Sequence, residues 1–343
     1  MTPAQLLNKI GDNPQRRFVY LQRQVNPAVV DYVKKLKVPG IYFRQESRRY
    51  YPAGEVTAQL VGFTNVDDVG VEGIEKRYDE LLTGKAGRKV FRKDAKGREI
   101  EVLERAQAKA PGNLQLSIDQ RIQSVTYREL KKAVLSHGAT SGSAIVVDVQ
   151  TGEVLAMVNQ PGFNPNNRAE MQLAALRNRA VTDVFEPGST VKPFTIIAAL
   201  ESGKFQSDSV IDTSPGYVRI GSKTLVDPVN YGVLDMEHIL KKSSQVGISK
   251  MSLVLNEQWV WEVFQRIGLG RSTGSGFPGE SNGVLPNHPN WLPIERANFA
   301  FGYGLSVTAV QLAQAYAILA NDGRKVPMSL LQVAERPAGE QVL

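Results

Sequence analysis

The clearest apolar run in this chain is FTIIAAL, which spans residues 194–200 and has polar residues after it. A largely apolar run of seven residues that is followed by Ser202-Gly203 predicts a buried helix that ends at the glycine. Pro187-Gly188 interrupts any element that comes before it. Pro193 is compatible only with the first helical turn, where the N–H groups have no partner inside the helix. The pattern therefore predicts a helix whose N-terminus lies at Ser189.

Hydrophobic periodicity predicts both further helices and strands. Asp119 is a favourable N-cap residue, and the hydrophobic residues on either side of Gln150-Thr151-Gly152 predict a β-hairpin. The predicted helices cover residues 26–36, 119–135, 259–267 and 307–319, and residues 234–255 are predicted to be a helical region. The predicted strands cover 89–93, 144–149 and 154–158. Helices beside an antiparallel sheet indicate an α+β fold.

Two domains are predicted. Pro111-Gly112, within residues 106–113, has the composition of an interdomain connection. The first domain would then comprise residues 1–112, with mixed helices and strands, and the second residues 113–343. A chain of 343 residues with 42% apolar content is long enough to give both domains a core.

The net charge of +7 is confined to the first domain. Residues 1–112 contain 21 Lys and Arg against 14 Asp and Glu, whereas the remainder contains 20 against 20. This surplus is compatible with a position near anionic lipid or cell-wall polymer. Basic and acidic residues alternate without an aromatic stacking pattern, so we expect no nucleic-acid partner, and a solvated basic surface is the simplest interpretation.

Several classes of site are disfavoured by composition. The chain has no cysteine, which excludes disulfides and thiolate metal sites. Its three histidines have no ligand-like spacing, so neither a metal nor a Ser-His-Asp triad is expected. No apolar run approaches the roughly 20 residues of a membrane span.

Ser189 and Lys192 are the candidate chemistry. Residues i and i+3 of a helix share a face, so the Lys192 amine can lie beside the Ser189 hydroxyl. A serine hydroxyl needs a base to become a good nucleophile, and a lysine can serve if burial lowers its pKa. The pattern S-x-x-K also occurs by chance on surface helices. Here the preceding break and the following apolar helix favour a catalytic pair.

A second motif gives the resemblance. Ser243 and Gln245 stand two residues apart, as do the serine and amide of S-x-N, the motif that follows S-x-x-K in penicillin-binding proteins. With its flanking segments the chain resembles the class B penicillin-binding proteins, and most of all their division-specific, penicillin-binding protein 3-like members. The segments that carry the resemblance are RYYPAG at 49–54, GVEGIE at 70–75, SGSA at 141–144, TGEVLA at 151–156 and FGYG at 301–304.

The resemblance implies a serine-type peptidoglycan D,D-transpeptidase of septal wall synthesis, with residues 1–112 as a non-catalytic pedestal. It implies that Ser189 is the nucleophile, Lys192 its base, Ser243 a proton relay and Gln245 a substrate-binding amide. No cofactor is implied. The implied partners are the peptidoglycan stem pentapeptide, β-lactam antibiotics and divisome membrane proteins, including a glycosyltransferase. In the pedestal, Arg49 or Glu72 is expected to be a buried ion-pair partner.

The chain departs from the family pattern at two points. Gln245 replaces an asparagine, which displaces the amide by one methylene, and no K-[ST]-G follows the second motif within residues 1–343. We therefore expect the sequence to be clipped at both ends, without the N-terminal anchor that holds this family at the periplasmic face of the inner membrane. Residues 1–343 alone would then be inactive. The alternatives are a catalytically inactive scaffold, a penicillin sensor, or a β-lactamase, although the latter's E-x-x-L-N motif is not found.

Overall fold

The computed structural model describes residues 2–12 and 15–343 of the protein. Two compact units divide the chain, one comprising Met1–Pro52 and Phe63–Gly112 and the other Ala53–Gly62 and Asn113–Leu343. Helices and paired antiparallel strands occur together, which confirms the predicted α+β class. The described residues include no helix that is both long enough and apolar enough to cross a membrane.

The helices are named α1 to α14 in chain order. They are α1 Pro3–Gly11, α2 Pro27–Lys35, α3 Ala58–Val61, α4 Gly73–Arg77, α5 Asp79–Thr83, α6 Gln120–Ser136, α7 Leu173–Leu176, α8 Arg179–Thr182, α9 Lys192–Glu201, α10 Met236–Lys241, α11 Gln245–Val254, α12 Trp259–Arg266, α13 Pro293–Ala300 and α14 Ala309–Ala320. Short 3₁₀ turns lie at Gly54–Val56, Arg168–Glu170 and Gly188–Val191.

The strands form antiparallel pairs. They are β1 Arg88–Lys93 with β2 Glu99–Ala106, β3 Gly142–Val147 with β4 Val154–Gln160, β5 Val210–Asp212 with β8 Val233–Asp235, β6 Tyr217–Ile220 with β7 Lys223–Val226, and β9 Arg324–Lys325 with β10 Glu340–Gln341. The predicted hairpin is the β3–β4 pair. Its turn is fixed by Asp148, whose carboxylate accepts the N–H groups of Gln150 and Thr151.

The first unit contains the long β1–β2 hairpin and an ion pair whose carboxylate is buried. The Arg49 guanidinium donates to both carboxylate oxygens of Glu75, at 2.7 and 3.3 Å. Glu75 lies on α4 and is buried. Of the two predicted ion-pair residues, Arg49 does form a pair, although its own side chain is exposed and the buried member is Glu75. Glu72 is the residue that precedes α4.

The second unit takes in a short segment from upstream. Residues 53–62, placed by the sequence in the first domain, have their contacts in this unit. Gln59 donates its side-chain N–H to the carbonyls of Pro161 and Ala175, at 2.9 and 3.0 Å. Gln123 of α6 donates to the Val56 carbonyl at 2.8 Å. Since Gln59 and Gln123 are both buried, these bonds satisfy amides that water does not reach.

Helix α6 confirms its predicted start. The carboxylate of Asp119 accepts the N–H groups of Arg121 and Ile122, which are N–H groups without partners inside the helix. The helix packs along β4, and the side-chain oxygen of Gln123 accepts the Met157 N–H at 2.8 Å. Helices α8 and α14 pack against β3. This sheet and its helices form one side of the second unit.

The six helices from α9 through α14 share one hydrophobic core. Helix α9 packs against α11 and α12, and α11 packs against α13. Phe194, Ile248 and Phe264 are fully buried there, and the rings of Phe264 and Phe299 are 5.1 Å apart. Burying side chains of this size contributes roughly 1.5–3 kcal/mol each. The core fixes the orientation of α9 and α11, which carry the two motifs.

Removing Arg49, the partner of the buried Glu75 carboxylate, should destabilise the first unit. We expect Arg49→Ala to lower the free energy of unfolding by about 2–3 kcal/mol, because the buried Glu75 carboxylate loses its partner. Adding Glu75→Gln should restore part of the loss. Urea unfolding in a double-mutant cycle measures both effects. Arg92→Ala is the control, because Arg92 and Glu101 are both exposed and the pair should contribute less than about 1 kcal/mol. Equal losses for the two arginines would contradict the account.

Candidate active site

Ser189 lies in a 3₁₀ turn directly before α9. The turn covers Gly188–Val191, and the Lys192 N–H donates to the Ser189 carbonyl. The α-helix thus begins at Lys192, one turn later than the sequence predicted, with Pro193 in its first turn. A 3₁₀ turn has three residues per turn, so side chains at i and i+3 eclipse one another. This geometry places the Ser189 and Lys192 side chains on the same side of the backbone.

Three contacts from the end of α13 and from α14 hold this turn. The Gly188 N–H donates to the Gly302 carbonyl at 3.0 Å. The Tyr316 hydroxyl donates to the Thr190 carbonyl at 2.8 Å. Just upstream, the Glu186 carboxylate accepts the N–H of Gly304 at 2.9 Å. The backbone on both sides of Ser189 is therefore fixed, while the Ser189 side chain is exposed to solvent.

Gly302 is required by close packing. Its φ of +90° is a conformation that residues with a Cβ rarely adopt. A Cβ atom at this position would lie 2.1 Å from the Gly188 carbonyl oxygen. The FGYG segment that the sequence singled out thus has a steric role at the turn that carries Ser189.

Lys192 is a buried cation with two hydrogen bonds. Its side chain is almost inaccessible, with 1% of the residue exposed. The Nζ atom donates to the backbone carbonyl of Ser243 at 2.5 Å and to the Ser243 Oγ at 2.9 Å. Since Ser243 precedes α11, these bonds connect the two sequence motifs. The sequence-predicted residues Lys192 and Ser243 are therefore in direct contact.

The environment of Lys192 lowers the pKa of its amine. Burial lowers the pKa of Lys192 from 10.5 to about 8, while the negative charge of Asp227 acts in the opposite direction. At a pKa of about 8, roughly a tenth of the side chains are neutral at pH 7 and roughly nine tenths at pH 9. The shift has the direction expected of a general base, although the ammonium form still predominates at neutral pH.

Ser243 has an unusual backbone conformation. Its φ is +53°, in the left-handed region that non-glycine residues seldom occupy. The helical region predicted over residues 234–255 consists of two helices, α10 and α11, with Ser243 between them. This turn aims the Ser243 carbonyl and hydroxyl at the same lysine. Left-handed non-glycine residues often occur at functional sites, where the surrounding contacts maintain them.

Asp227 holds the start of α11. Its Oδ1 atom accepts the N–H groups of Gln245 and Val246 at 2.6 and 3.2 Å, and its Oδ2 atom accepts the Ser244 hydroxyl at 2.5 Å. Ser244 is the N-cap, and its Oγ accepts the Gly247 N–H at 2.8 Å. Asp227 and Ser244 are both buried.

Gln245 is the first residue of α11 and is half-buried. Within the described part of the chain its side-chain amide has no hydrogen-bond partner, so both its donors and its acceptor are available to a ligand. Ser189 likewise has no side-chain hydrogen bond among the described residues. The four sequence-predicted residues therefore comprise one contact pair, Lys192 with Ser243, and two side chains that remain free.

Sequence reasoning missed Asp227 and Ser244. Asp227 lies 16 residues before the second motif, in the segment Asp227-Pro228 whose pattern indicates only a turn. No local spacing connects it to α11. Ser244 was visible as the central residue of S-x-N, and its N-cap role follows from the serine preference at that position.

The comparisons with known proteins cover both units. Residues 142–343 match the penicillin binding protein transpeptidase domain, and residues 1–116 match the penicillin-binding protein dimerisation domain. The peptidoglycan D,D-transpeptidase FtsI of Escherichia coli (strain K12) is 50% identical over 338 residues, which are 98% of this chain and 57% of that protein. The probable peptidoglycan D,D-transpeptidase PbpC of Pseudomonas aeruginosa is 43% identical over 332 residues, 96% of this chain and 58% of that protein.

Solved structures give the same picture. The transpeptidase domain of Burkholderia pseudomallei penicillin-binding protein 3, in its apo form, aligns with a TM-score of 0.60 and 39% identity over 66% of this chain and 65% of that chain. A peptidoglycan glycosyltransferase from Burkholderia ambifaria aligns with a TM-score of 0.60 and 38% identity, over 66% of this chain and 68% of that chain. The chain spans a little more than half the length of the curated relatives it matches.

Gly302→Ala tests the packing at the turn that carries Ser189. The new Cβ must displace the Gly188 backbone, so we expect a loss of at least about 3 kcal/mol in the free energy of unfolding. Gly304→Ala is a matched control, because Gly304 also has a positive φ, +78°, but has no atom near its Cβ position. It should cost only about 1–2 kcal/mol of backbone strain. Urea unfolding compares the two, and equal losses would contradict the steric role.

Proposed function

Because the chain belongs to the penicillin-binding protein transpeptidase family, we propose that it is a serine-type peptidoglycan D,D-transpeptidase of septal cell-wall synthesis. The observation that carries this proposal is the buried Lys192 amine, hydrogen-bonded to Ser243 and one 3₁₀ turn from the exposed Ser189. An exposed serine beside a lysine of lowered pKa is suited to acyl transfer.

In the proposed acylation step, the neutral form of Lys192 accepts the Ser189 hydroxyl proton. The Ser189 Oγ attacks the carbonyl between the two terminal D-alanines of a stem pentapeptide. The C–N bond breaks, and the departing D-alanine amine receives a proton that passes from Lys192 through the Ser243 hydroxyl. The Ser243 Oγ lies 2.9 Å from Nζ, a distance that supports this relay.

In the second step, an amine of a neighbouring peptidoglycan strand attacks the acyl-serine carbonyl. Lys192 accepts a proton from this amine, and Ser189 leaves as the hydroxyl when the proton returns to it. The free side-chain amide of Gln245 would bind the amide backbone of the donor peptide. β-Lactams would acylate Ser189 in the same way, because opening of their ring replaces departure of D-alanine.

The first unit is proposed to bind partners rather than to carry chemistry. All of the chain's net charge lies in residues 1–112, and its charged side chains include exposed pairs such as Arg92 with Glu101. Its proposed partners are divisome membrane proteins, including a glycosyltransferase, and it would bind them at the periplasmic face of the inner membrane. A charged surface of this kind favours association with other macromolecules.

Covalent labelling with a fluorescent penicillin tests the proposed function. We expect the complete protein to be labelled once, at Ser189, as located by peptide mapping. Ser189→Ala should remove the label, because the Ser189 hydroxyl has no hydrogen bond among the described residues, whereas Ser243, the other serine near Lys192, already accepts a hydrogen bond from that amine. Thr190→Ala is the control, since Thr190 is exposed and adjacent but bonds only to the Pro187 carbonyl through its side chain. Label that persists in Ser189→Ala would refute the assignment, and rapid turnover of nitrocefin would indicate a β-lactamase instead.

A further inference from the structure

Asp227 connects three consecutive residues of the second motif. One carboxylate oxygen accepts the first two N–H groups of α11, from Gln245 and Val246, and the other accepts the Ser244 hydroxyl. The Gly247 N–H donates to the Ser244 Oγ, so the first three N–H groups of the helix, those of Gln245, Val246 and Gly247, all have acceptors. Asp227 lies outside the helix, directly after β7, so it fixes the helix to a neighbouring hairpin.

These hydrogen bonds also restrict the conformation of Ser243, the residue before Ser244. A left-handed serine needs surrounding contacts to keep it in that conformation, and the residue that follows it is fixed by Asp227. The Ser243 carbonyl and hydroxyl both accept hydrogen bonds from Lys192. A chain of contacts therefore runs from the Asp227 carboxylate through Ser244 and Ser243 to the amine of the lysine.

We propose that Asp227 is a positioning residue of the acyl-transfer site, which holds the Ser243 turn against Lys192 and keeps a negative charge near the amine. This role rests on the proposed function. Asp227 makes no contact with the reacting groups, and it acts through the α11 N-terminus and through its electric field.

The charge and the geometry of Asp227 have opposite effects on the base. The carboxylate charge favours the ammonium form of Lys192 and so works against the neutral base. The hydrogen bonds place Ser243 where it can meet the amine. A neutral isostere should separate the two effects, because asparagine retains an oxygen for the N–H groups of Gln245 and Val246 but carries no charge.

The other titratable side chains on the packed elements have partners or orientations of their own. Glu201 pairs with Arg266, Lys250 donates to the Asp212 carbonyl, Tyr316 donates to Thr190, Glu186 accepts from Gly304, His238 contacts Asp235, and Glu237, Lys241 and Lys242 are exposed. Asp227 is the charged group whose field acts on Lys192 among the described residues.

The test compares Asp227→Asn, Asp227→Ala and a control, Asp235→Ala. Asp235 caps α10 by accepting the His238 N–H, so its loss removes a helix cap without touching the second motif. For each variant of the complete protein, the second-order rate constant of Ser189 acylation by a fluorescent penicillin is measured from pH 6 to pH 10. Hydrogen exchange at Gln245 and Val246 is followed in parallel, together with the thermal midpoint.

We expect Asp227→Ala to acylate at least about 30-fold more slowly across the whole pH range, because the turn that presents Ser243 loosens. Its Gln245 and Val246 amides should exchange faster than in the control. Asp227→Asn should retain most of the rate at high pH. Its acid limb should move to lower pH by about 0.5–1 unit, because the charge that favours the ammonium form is absent.

Two results would overturn the positioning role. One is an Asp227→Ala variant that is acylated as fast as Asp235→Ala, with unchanged exchange at α11. The other is an Asp227→Asn variant whose acid limb keeps the wild-type midpoint or moves to higher pH. If Ser189 of the wild type is labelled normally, either result refutes this inference alone. Absence of Ser189 labelling in the wild type would refute the proposed function and this inference together.

Discussion

The arrangement of the second unit depends on the contact between the Lys192 amine and Ser243. A lysine with 1% of its surface exposed cannot remain charged in an apolar core without acceptors. The Ser243 carbonyl and hydroxyl supply two, and they come from the turn between α10 and α11. The core therefore has to hold α9 and this turn so that the Lys192 Nζ atom lies within 3 Å of both Ser243 oxygens.

This requirement explains features that would otherwise reduce stability. The left-handed Ser243 costs backbone strain, and the buried Lys192 costs desolvation. Gly302 allows the backbone of the Ser189 turn to approach closely, and Asp227 holds the N-terminus of α11 by hydrogen bonds. Phe194, Ile248 and Phe264 contribute burial energy that offsets these costs. A site that is locally unfavourable is thus held by the helices around it.

Local sequence patterns anticipated the elements but not the connections between distant segments. The Asp119 cap, the β3–β4 hairpin and the apolar α9 all follow from residues within a few positions of one another. Ser189 and Lys192 were identified because their spacing matches one helical turn. These features can be predicted because each depends on residues that are close together in the sequence.

The parts that could not be predicted depend on contacts that only the fold creates. The sequence predicts a helical region over residues 234–255 but not the break inside it, because nothing in the Ser243 side chain marks a left-handed residue. Asp227 bonds to the first residue of α11, which lies 18 positions later in the chain, and Arg49 pairs with Glu75 because α4 turns that side chain inward. Residues 53–62 join the second unit through Gln59, whose partners are about 100 residues away in sequence.

Direct titration of Lys192 is the most decisive measurement of this account. The Cε and Nζ signals of isotopically labelled lysine can be followed by NMR from pH 6 to pH 11, with Lys192→Arg used to assign the resonance. We predict that Lys192 titrates with a midpoint of about 8, well below that of the exposed lysines, because its amine is buried. A midpoint above 10 would show that Lys192 remains an ammonium at working pH, and it would contradict the role of this residue as the base that activates Ser189.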